Sequence, residues 1–142
     1  MTSIRHAAPE DLVDVMRLFD GALLDTDADR IRDQLTGDRG CILLAEAAGR
    51  PVGAIALIRA AEAVEDVLWP DSSYISAIAV STTRRGQGIG RSLIEAAAEW
   101  AGPQPLSATF DERVRPFYMA CGFAIEEREG RLWGIRRVAG VD

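Results

Sequence analysis

The stretch that most constrains the fold runs from Tyr74 to Ala101 and is predicted to form a strand, a glycine-rich turn and a helix. Its first part, YISAIAV, is mostly apolar and rich in β-branched residues, which favours a strand covered on both faces. The segment STTRRGQG then interrupts this run with turn-forming residues and two arginines. From Gly88 onward, apolar residues recur at helical spacing until Gly102 and Pro103 end the helix. The rest of the chain is expected to fold around this strand–turn–helix unit.

Three glycines, Gly86, Gly88 and Gly90, lie where the predicted helix begins. The first N–H groups of a helix have no partner within the helix, and a residue without a Cβ lets a ligand approach them closely. The helix dipole and the neighbouring arginines add positive potential. The turn is therefore predicted to bind an anion, most naturally a phosphate or pyrophosphate. A glycine-rich helix start with a purely structural role is the alternative.

The turn does not match two common phosphate-binding loops. A Walker loop requires a lysine, and this chain contains none. The dinucleotide-binding fingerprint requires G-x-G-x-x-G, a spacing that the three glycines do not have. The pattern Arg85-x-x-Gly88-x-Gly90 instead resembles the pyrophosphate-binding motif of the GNAT superfamily of acyl-CoA-dependent N-acetyltransferases.

A second motif, FYMACGF, runs from Phe117 to Phe123. A tyrosine followed after three residues by Gly-Phe is similar to the C-terminal signature of the same enzymes. Taken alone, Tyr118 is more typical of a core aromatic residue. The two motifs nevertheless occur in the family's order, with one helix and one strand between them, and the resemblance covers the whole chain.

The elements predicted along the chain give an α/β domain (α+β in some schemes) that spans residues 1–142. The resemblance implies a single GNAT-like domain with a central mixed, mostly antiparallel sheet of about six to seven strands, flanked by helices, in which a splayed strand pair holds CoA. The predicted strands are 2–5, 41–46, 52–58, 74–80, 106–110, 123–126 and about 132–138, with a longer hairpin loop over 47–51. The predicted helices run from 9 to about 21, and over 27–35, 88–101 and 114–120.

The resemblance implies that acetyl-CoA is the cosubstrate and that no metal is needed. Its pantetheine arm would lie in the gap between the central strand and the next one. The cofactor-binding residues implied in this way are Ile78, Ala79 and Val80 on the strand and Arg85, Gly86, Gln87, Gly88, Ile89, Gly90 and Arg91 in the turn. A backbone N–H near Ala79 or Val80 would polarise the thioester, and Tyr118 would protonate the departing thiolate.

The sequence departs from the family pattern at two positions. Many members carry a glutamate on the central strand that relays the amine proton to water, and Ser76 occupies that position here. Many members also have an asparagine that contacts the cofactor seven residues before the tyrosine, where this chain has Asp111. Asp111 is predicted to be cofactor-binding, but an anion there is less favourable for CoA.

An acidic stretch between Arg59 and Ser73 allows two interpretations. In the first, it is a solvated connection or one turn of helix whose apolar residues cap the core. In the second, it is an acceptor loop whose carboxylates hold an ammonium group while the indole ring of Trp69 covers the carbon skeleton. In the second interpretation the substrate-binding residues are Glu65, Asp66, Trp69, Tyr74 and Ser76. A proton relay would then need Glu62, Glu65 or Asp66, ordered water, or an amine that arrives already neutral.

Composition limits the partners of such an enzyme. The net charge is −6 and every basic residue is arginine, which argues against nucleic-acid binding and favours a cationic acceptor. No apolar run approaches the roughly 20 residues of a membrane span. Cys41 and Cys121 lack metal-ligand spacing, which indicates reduced thiols in a cytoplasmic protein. The lone His6 is expected at the surface.

The leading hypothesis is an N-acetyltransferase acting on a primary amine of a small molecule or peptide, as a monomer or homodimer. A catalytically weak acyl-CoA-binding sensor or regulatory module is the alternative, with Ser76 marking lost catalysis. A third possibility is a nucleic-acid-associated acetyltransferase that acts on basic protein tails.

Overall fold

One seven-stranded sheet with helices on both faces forms the described part of the chain. The structure is a computed structural model and describes residues 2–21, 31–32, 35, 40–59, 68–81, 84 and 86–137. Its strands are β1 (Thr2–His6), β2 (Gly40–Ala47), β3 (Arg50–Ile58), β4 (Ser73–Val80), β5 (Leu106–Phe110), β6 (Ala124–Arg128) and β7 (Arg131–Arg136). Its helices are α1 (Leu12–Gly21), α2 (Ile89–Ala101) and α3 (Arg115–Ala120), and 3₁₀ turns at Pro9–Asp11 and Glu112–Val114 precede α1 and α3.

The strand order in the sheet is β1-β2-β3-β4-β5-β7-β6. All neighbours are antiparallel except β4 and β5, which are parallel. This confirms the predicted mixed, mostly antiparallel sheet. The sequence did not predict that β7 lies between β5 and β6, where it pairs with both.

The two faces of the sheet are covered by different helices. On one face, Leu93, Ile94 and Ala97 of α2 are fully buried against β2, β3 and β5, and α3 lies on the same side. On the other face, Val15 and Phe19 of α1 pack on alanines of β3 and β4. Helical spacing on the apolar sides of α1 and α2 explains why each helix covers one face.

An ion cluster fixes the start of α1 to the sheet. The guanidinium of Arg5 donates to both carboxylate oxygens of Asp11, at 2.9 and 3.0 Å, and to Glu46 on β2 at 2.7 Å. The backbone N–H of Ala8 also donates to Asp11, at 2.7 Å. The Arg5 hydrogen bonds, followed by that from Ala8, hold the pKa of Asp11 below its usual range. The cluster joins β1, β2 and α1.

Several predicted boundaries differ from the structure. The loop predicted over 47–51 is a two-residue turn, because Ala48 and Gly49 both have positive φ, 53° and 76°, the combination that suits a tight hairpin. Residue 123 was predicted to begin a strand, but β6 begins at Ala124. Residues 27–30, 33–34 and 138 of the predicted elements lie outside the described residues. Among the described helices, none combines the length and apolarity that a membrane span requires.

Candidate active site

The central feature of the site is the separation of two parallel strands. The register between β4 and β5 covers only Ser73 with Leu106 and Tyr74 with Ser107, although β4 continues to Val80 and pairs with β3 along its length. Buried hydroxyls tie the strands together where they meet, with Ser72 Oγ and Ser107 Oγ 2.6 Å apart. The strands therefore diverge from a fixed point, which leaves a gap beside the C-terminal half of β4.

A β-bulge at Ser76 divides β4 into two parts. The register with β3 passes from Leu57–Ile75 to Ala56–Ala77 and leaves Ser76 as the extra residue. The hydroxyl of Ser76 donates to the carbonyl oxygen of Ala56 at 3.3 Å. The bulge turns Ala77 toward α1, while Ile75 faces α2. Because the hydroxyl hydrogen-bonds within the sheet, Ser76 does not replace a carboxylate base.

The register also decides which backbone groups of β4 face the gap. The N–H of Ser81 donates to the carbonyl of Val52 at 2.8 Å, and hydrogen-bonded pairs alternate along an antiparallel ladder. Ala79 is then hydrogen-bonded to β3, whereas the N–H and C=O groups of Ile78 and Val80 point away from β3. Of the three predicted strand residues, Ile78 and Val80 thus offer backbone groups to the gap.

The glycine-rich turn leads from β4 into α2 with exposed backbone. Gly86 and Gly88 adopt left-handed conformations, with φ of 84° and 78°, and a Cβ on either one would have nothing within 4 Å. Gly88 is the N-cap of α2 and has no side chain to cap it. The first N–H groups of the helix, at Ile89, Gly90 and Arg91, follow this exposed turn and have no partner within the helix. These features fit the predicted anion site.

The predicted site residues of the turn and of the acceptor loop are only partly described by the structure. Arg85 of the turn and both acids of the proposed acceptor loop, Glu65 and Asp66, lie outside the described residues. Gln87 and Arg91 are exposed beside the turn, and Ile89 is buried in the core. The roles of the turn residues in cofactor binding, and of the two acids in acceptor binding, stay predictions.

Gly90 has a different role from the other two glycines of the turn. A Cβ at this position would lie 2.9 Å from Cε1 of Phe117, closer than two carbon atoms can pack. Gly90 is therefore required for the contact between α2 and α3. The sequence alone suggested that all three glycines served the ligand.

Tyr118 is buried in α3 and surrounded by phenylalanine rings. Phe110 stacks on it with ring centroids 4.2 Å apart, and Phe117 and Phe123 meet it edge to face at 5.2 and 5.1 Å. Burial raises the pKa of Tyr118, and the nearby phenol of Tyr74 raises this pKa further. Tyr118 therefore keeps its proton at neutral pH and can act only as a proton donor there.

Three of the four phenylalanines in the chain contact Tyr118. Sequence reasoning missed them as site residues because they lie on β5, on α3 and before β6. The only sequence signal was that two of them flank the tyrosine within the FYMACGF motif. Gly134 on β7 makes room for the group, since a Cβ there would be 2.9 Å from Phe110 and 3.2 Å from Phe123.

Asp111 caps the 3₁₀ turn before α3. Its carboxylate accepts from the N–H of Arg113 at 3.0 Å, and this bond lowers the pKa of Asp111. Asp111 is thus anionic near neutral pH and serves a local structural purpose. Its predicted contact with the cofactor remains a prediction.

The face of the sheet opposite α2 carries aromatic residues near the start of β4. Trp69 meets Trp133 of β7 edge to face with centroids 6.5 Å apart, and Arg131 lies over the Trp133 ring at 5.3 Å. Tyr74 is only partly buried on β4. Trp69 and Tyr74 can supply an apolar wall for an acceptor, and Trp133 is an addition that the sequence did not indicate.

Taken together, these residues offer groups that suit an anion, an extended chain and a proton acceptor. The turn has backbone donors, the gap is lined by the N–H and C=O groups of Ile78 and Val80, and the Tyr118 phenol carries a proton at neutral pH. Within the described ranges, no three His, Cys, Asp or Glu side chains are grouped to hold a metal ion.

Comparison with known families finds one match. The sequence model of the Acetyltransferase (GNAT) family matches residues 10–123, a range that includes the turn and Tyr118. Among curated protein sequences no match is found.

Many solved structures have the same fold, and the three described here are distant in sequence. A Bacillus anthracis protein assigned as a streptothricin acetyltransferase, in complex with acetyl coenzyme A, superposes with a TM-score of 0.75 at 16% identity and covers 97% of this chain and 99% of its own. Arabidopsis thaliana NAA60 in complex with a bisubstrate analogue superposes with a TM-score of 0.77 at 15% identity and covers 99% of this chain and 100% of its own. An aminoglycoside acetyltransferase from an uncultured soil metagenomic sample, in complex with sisomicin, superposes with a TM-score of 0.70 at 20% identity. It covers 89% of this chain and 91% of its own. Identities this low establish the fold alone.

Proposed function

The chain belongs to the GNAT family of acetyltransferases, and on that basis we propose that it transfers an acetyl group from acetyl-CoA to a primary amine by direct attack in a ternary complex. The observation that carries the proposal is the gap between β4 and β5, with the glycine turn at the end of β4 and the Tyr118 phenol beside β5.

Acetyl-CoA fits the chemistry of the groups around this gap. The pyrophosphate would accept hydrogen bonds from the first N–H groups of α2, where Gly86 and Gly88 leave space. The amide groups of the pantetheine arm would pair with Ile78 and Val80, as a further strand pairs with a sheet edge. Arg85 and Arg91 would add positive charge near the phosphates.

The chemical step needs a polarised carbonyl and a protonated leaving group. The amine nitrogen attacks the thioester carbon, and the N–H of Val80 or Ile78 stabilises the oxyanion that forms. When the C–S bond breaks, Tyr118 gives its proton to the thiolate sulfur, and the new amide loses one proton to solvent or to a base. Most of the rate would come from holding amine and thioester together.

The proton of the amine must leave the site without the help of a carboxylate on the central strand. The central strand, SYISAIAV, contains no carboxylate, and the Ser76 hydroxyl is hydrogen-bonded to Ala56. The acceptor then either reaches the site as a neutral amine or passes its proton to Glu65, Asp66 or ordered water. The first route makes the rate follow the fraction of acceptor in the neutral form.

The acceptor is proposed to be a small amine or a peptide amino group. The net charge of −6 favours acceptors that carry positive charge in solution. Among proteins of similar fold, one is an aminoglycoside acetyltransferase with sisomicin and another is NAA60 with a bisubstrate analogue, so the fold accommodates chemically different acceptors.

A thiol-release assay tests this proposal. Acetyl-CoA would be incubated with the protein and a panel of polyamines, aminoglycosides, amino acids and peptides, and free CoA would be measured. Because the chain has no lysine, any acetyl-lysine in the peptide arm belongs to the acceptor. We expect amine-dependent CoA release. Tight acetyl-CoA binding without release with any amine would favour the acyl-CoA sensor instead.

A further inference from the structure

Phe117 contacts the start of α2 on one side and Tyr118 on the other. A Cβ on Gly90 would lie 2.9 Å from Cε1 and 3.2 Å from Cζ of Phe117, so the ring packs directly on the bare Cα of that glycine. The same ring meets Tyr118 edge to face, with centroids 5.2 Å apart and an interplanar angle of 79°. One side chain thus joins the cofactor turn to the proposed proton donor.

This row of contacts reaches both strands that border the gap. The Cβ position of Gly90 is 3.7 Å from Cγ2 of Val80, the last residue of β4. On the other side, Tyr118 stacks on Phe110, the last residue of β5, at 4.2 Å and 12°. The row therefore connects the ends of the two diverging strands. Because packed side chains leave little free space, a shift at one member must be taken up by the next.

We propose that Phe117 is a positioning residue that couples the cofactor turn to the Tyr118 phenol. A cofactor held by the backbone of the turn fixes Gly90, Gly90 fixes the Phe117 ring, and that ring helps to fix Tyr118. The proposal rests on the function proposed above, in which Tyr118 protonates the thiolate. Phe117 itself touches neither the thioester nor the amine.

The first test is Phe117→Leu, which keeps an apolar side chain but removes the ring edge that spans Gly90 and Tyr118. We expect kcat to fall roughly 10- to 100-fold, the range for a misplaced catalytic group, with the acetyl-CoA Kd little changed. Met119→Leu is the matched control, because Met119 lies on the same helix with 59% of its surface exposed. The control should keep wild-type kcat, and thermal unfolding should show that both variants fold.

A second variant approaches the same contact from the other side. Gly90→Ala places a methyl group against the Phe117 ring and should also lower kcat. In the Phe117→Leu background, Gly90→Ala should lower kcat by a several-fold smaller factor, because the ring atoms that the methyl group would displace are absent. Equal losses from Gly90→Ala in the two backgrounds would overturn the proposal.

The Tyr118→Phe background separates positioning from general structural damage. If Phe117 acts through the phenol, Phe117→Leu should reduce kcat further by less than about twofold once the hydroxyl is absent, because residues that act as a unit are not additive. A full multiplicative loss in this background would overturn the proposal, as would unchanged kcat for Phe117→Leu in the wild-type protein. Should Tyr118→Phe alone keep wild-type kcat, the proton-donor role in the proposed function fails, and the coupling fails with it.

Discussion

At the turn from Gly86 to Arg91 the groups offered to a ligand belong to the backbone, whereas at Tyr118 the offered group is a side chain held by three other side chains. The turn is exposed and depends on left-handed glycines with open space around them. Tyr118 is buried between Phe110, Phe117 and Phe123. The first region is specified by backbone conformation, and the second by side-chain packing among β5, α3 and the residue before β6.

Because of this difference, cofactor affinity and the rate of the chemical step should respond to different kinds of substitution. A change that blocks the space beside the turn should weaken the cofactor complex, and it should reach the proton donor only if it moves Gly90 and Phe117. A change at the phenol should slow the reaction without altering cofactor affinity. Substitutions in the turn and at Tyr118 test whether the two regions can be separated in this way.

The largest expected effect is on turnover in Tyr118→Phe. The substitution removes only the hydroxyl and leaves the three ring contacts in place. We expect kcat to drop by roughly 10- to 1000-fold with little change in the acetyl-CoA Kd, as for loss of a general acid. Steady-state kinetics together with calorimetry would measure both. An unchanged kcat would make Tyr118 a packing residue and remove the contrast between the regions.

The next effect is on cofactor affinity in Gly88→Val. A β-branched side chain at φ of 78° strains the turn and fills the space beside the N–H groups. We expect the Kd for acetyl-CoA to rise at least about tenfold, equivalent to roughly 1.4 kcal/mol. Gly49→Val is the matched control, since Gly49 also has positive φ and open surroundings but lies in the β2–β3 turn. Equal affinities of the two variants would show that the turn is not the phosphate site.

A smaller effect, on stability alone, is expected for Asp11→Asn, which lies in neither region. Loss of the charge weakens the paired hydrogen bonds from Arg5 and should cost about 1–2 kcal/mol of unfolding free energy at pH 7. The lowered pKa of Asp11 means that its contribution is present above about pH 3.9 and is lost as the pH falls below that value. Denaturant titrations at pH 7 and pH 3 should therefore show a difference from wild type that shrinks in acid. A difference of the same size at both pH values would exclude the charge as its source.

The smallest expected effect concerns the dependence of kcat on pH, which should lack a falling limb near neutral pH. Because burial raises the pKa of Tyr118, the phenol stays protonated up to at least about pH 10. With a saturating acceptor, kcat should rise with pH as the ammonium group of the acceptor loses its proton and should then stay level. A falling limb near neutral pH that disappears in Tyr118→Phe would mean that the donor ionises in the working range.

The sequence predicted the features that depend on local chemistry. The strand–turn–helix unit follows directly from the apolar run before Ser81 and from the positions of Gly86 and Gly88. The mixed sheet and acetyl-CoA as cosubstrate came from the resemblance carried by the two motifs.

Features that depend on contacts between distant residues were not predicted. The bulge at Ser76 arises from the register of β4 against β3, which hydrophobic pattern alone does not determine. The packing role of Gly90 requires Phe117 of α3 to be in place. The position of β7 between β5 and β6 is likewise set by pairing across the sheet.

A crystal structure with bound CoA would test the central claim most directly, through the distance between Tyr118 Oη and the CoA sulfur. We predict a separation of roughly 3 to 3.5 Å, close enough for proton transfer. The pyrophosphate should lie in the same structure on the first N–H groups of α2. A sulfur atom more than about 6 Å from the hydroxyl, beyond the reach of one bridging water, would contradict the account.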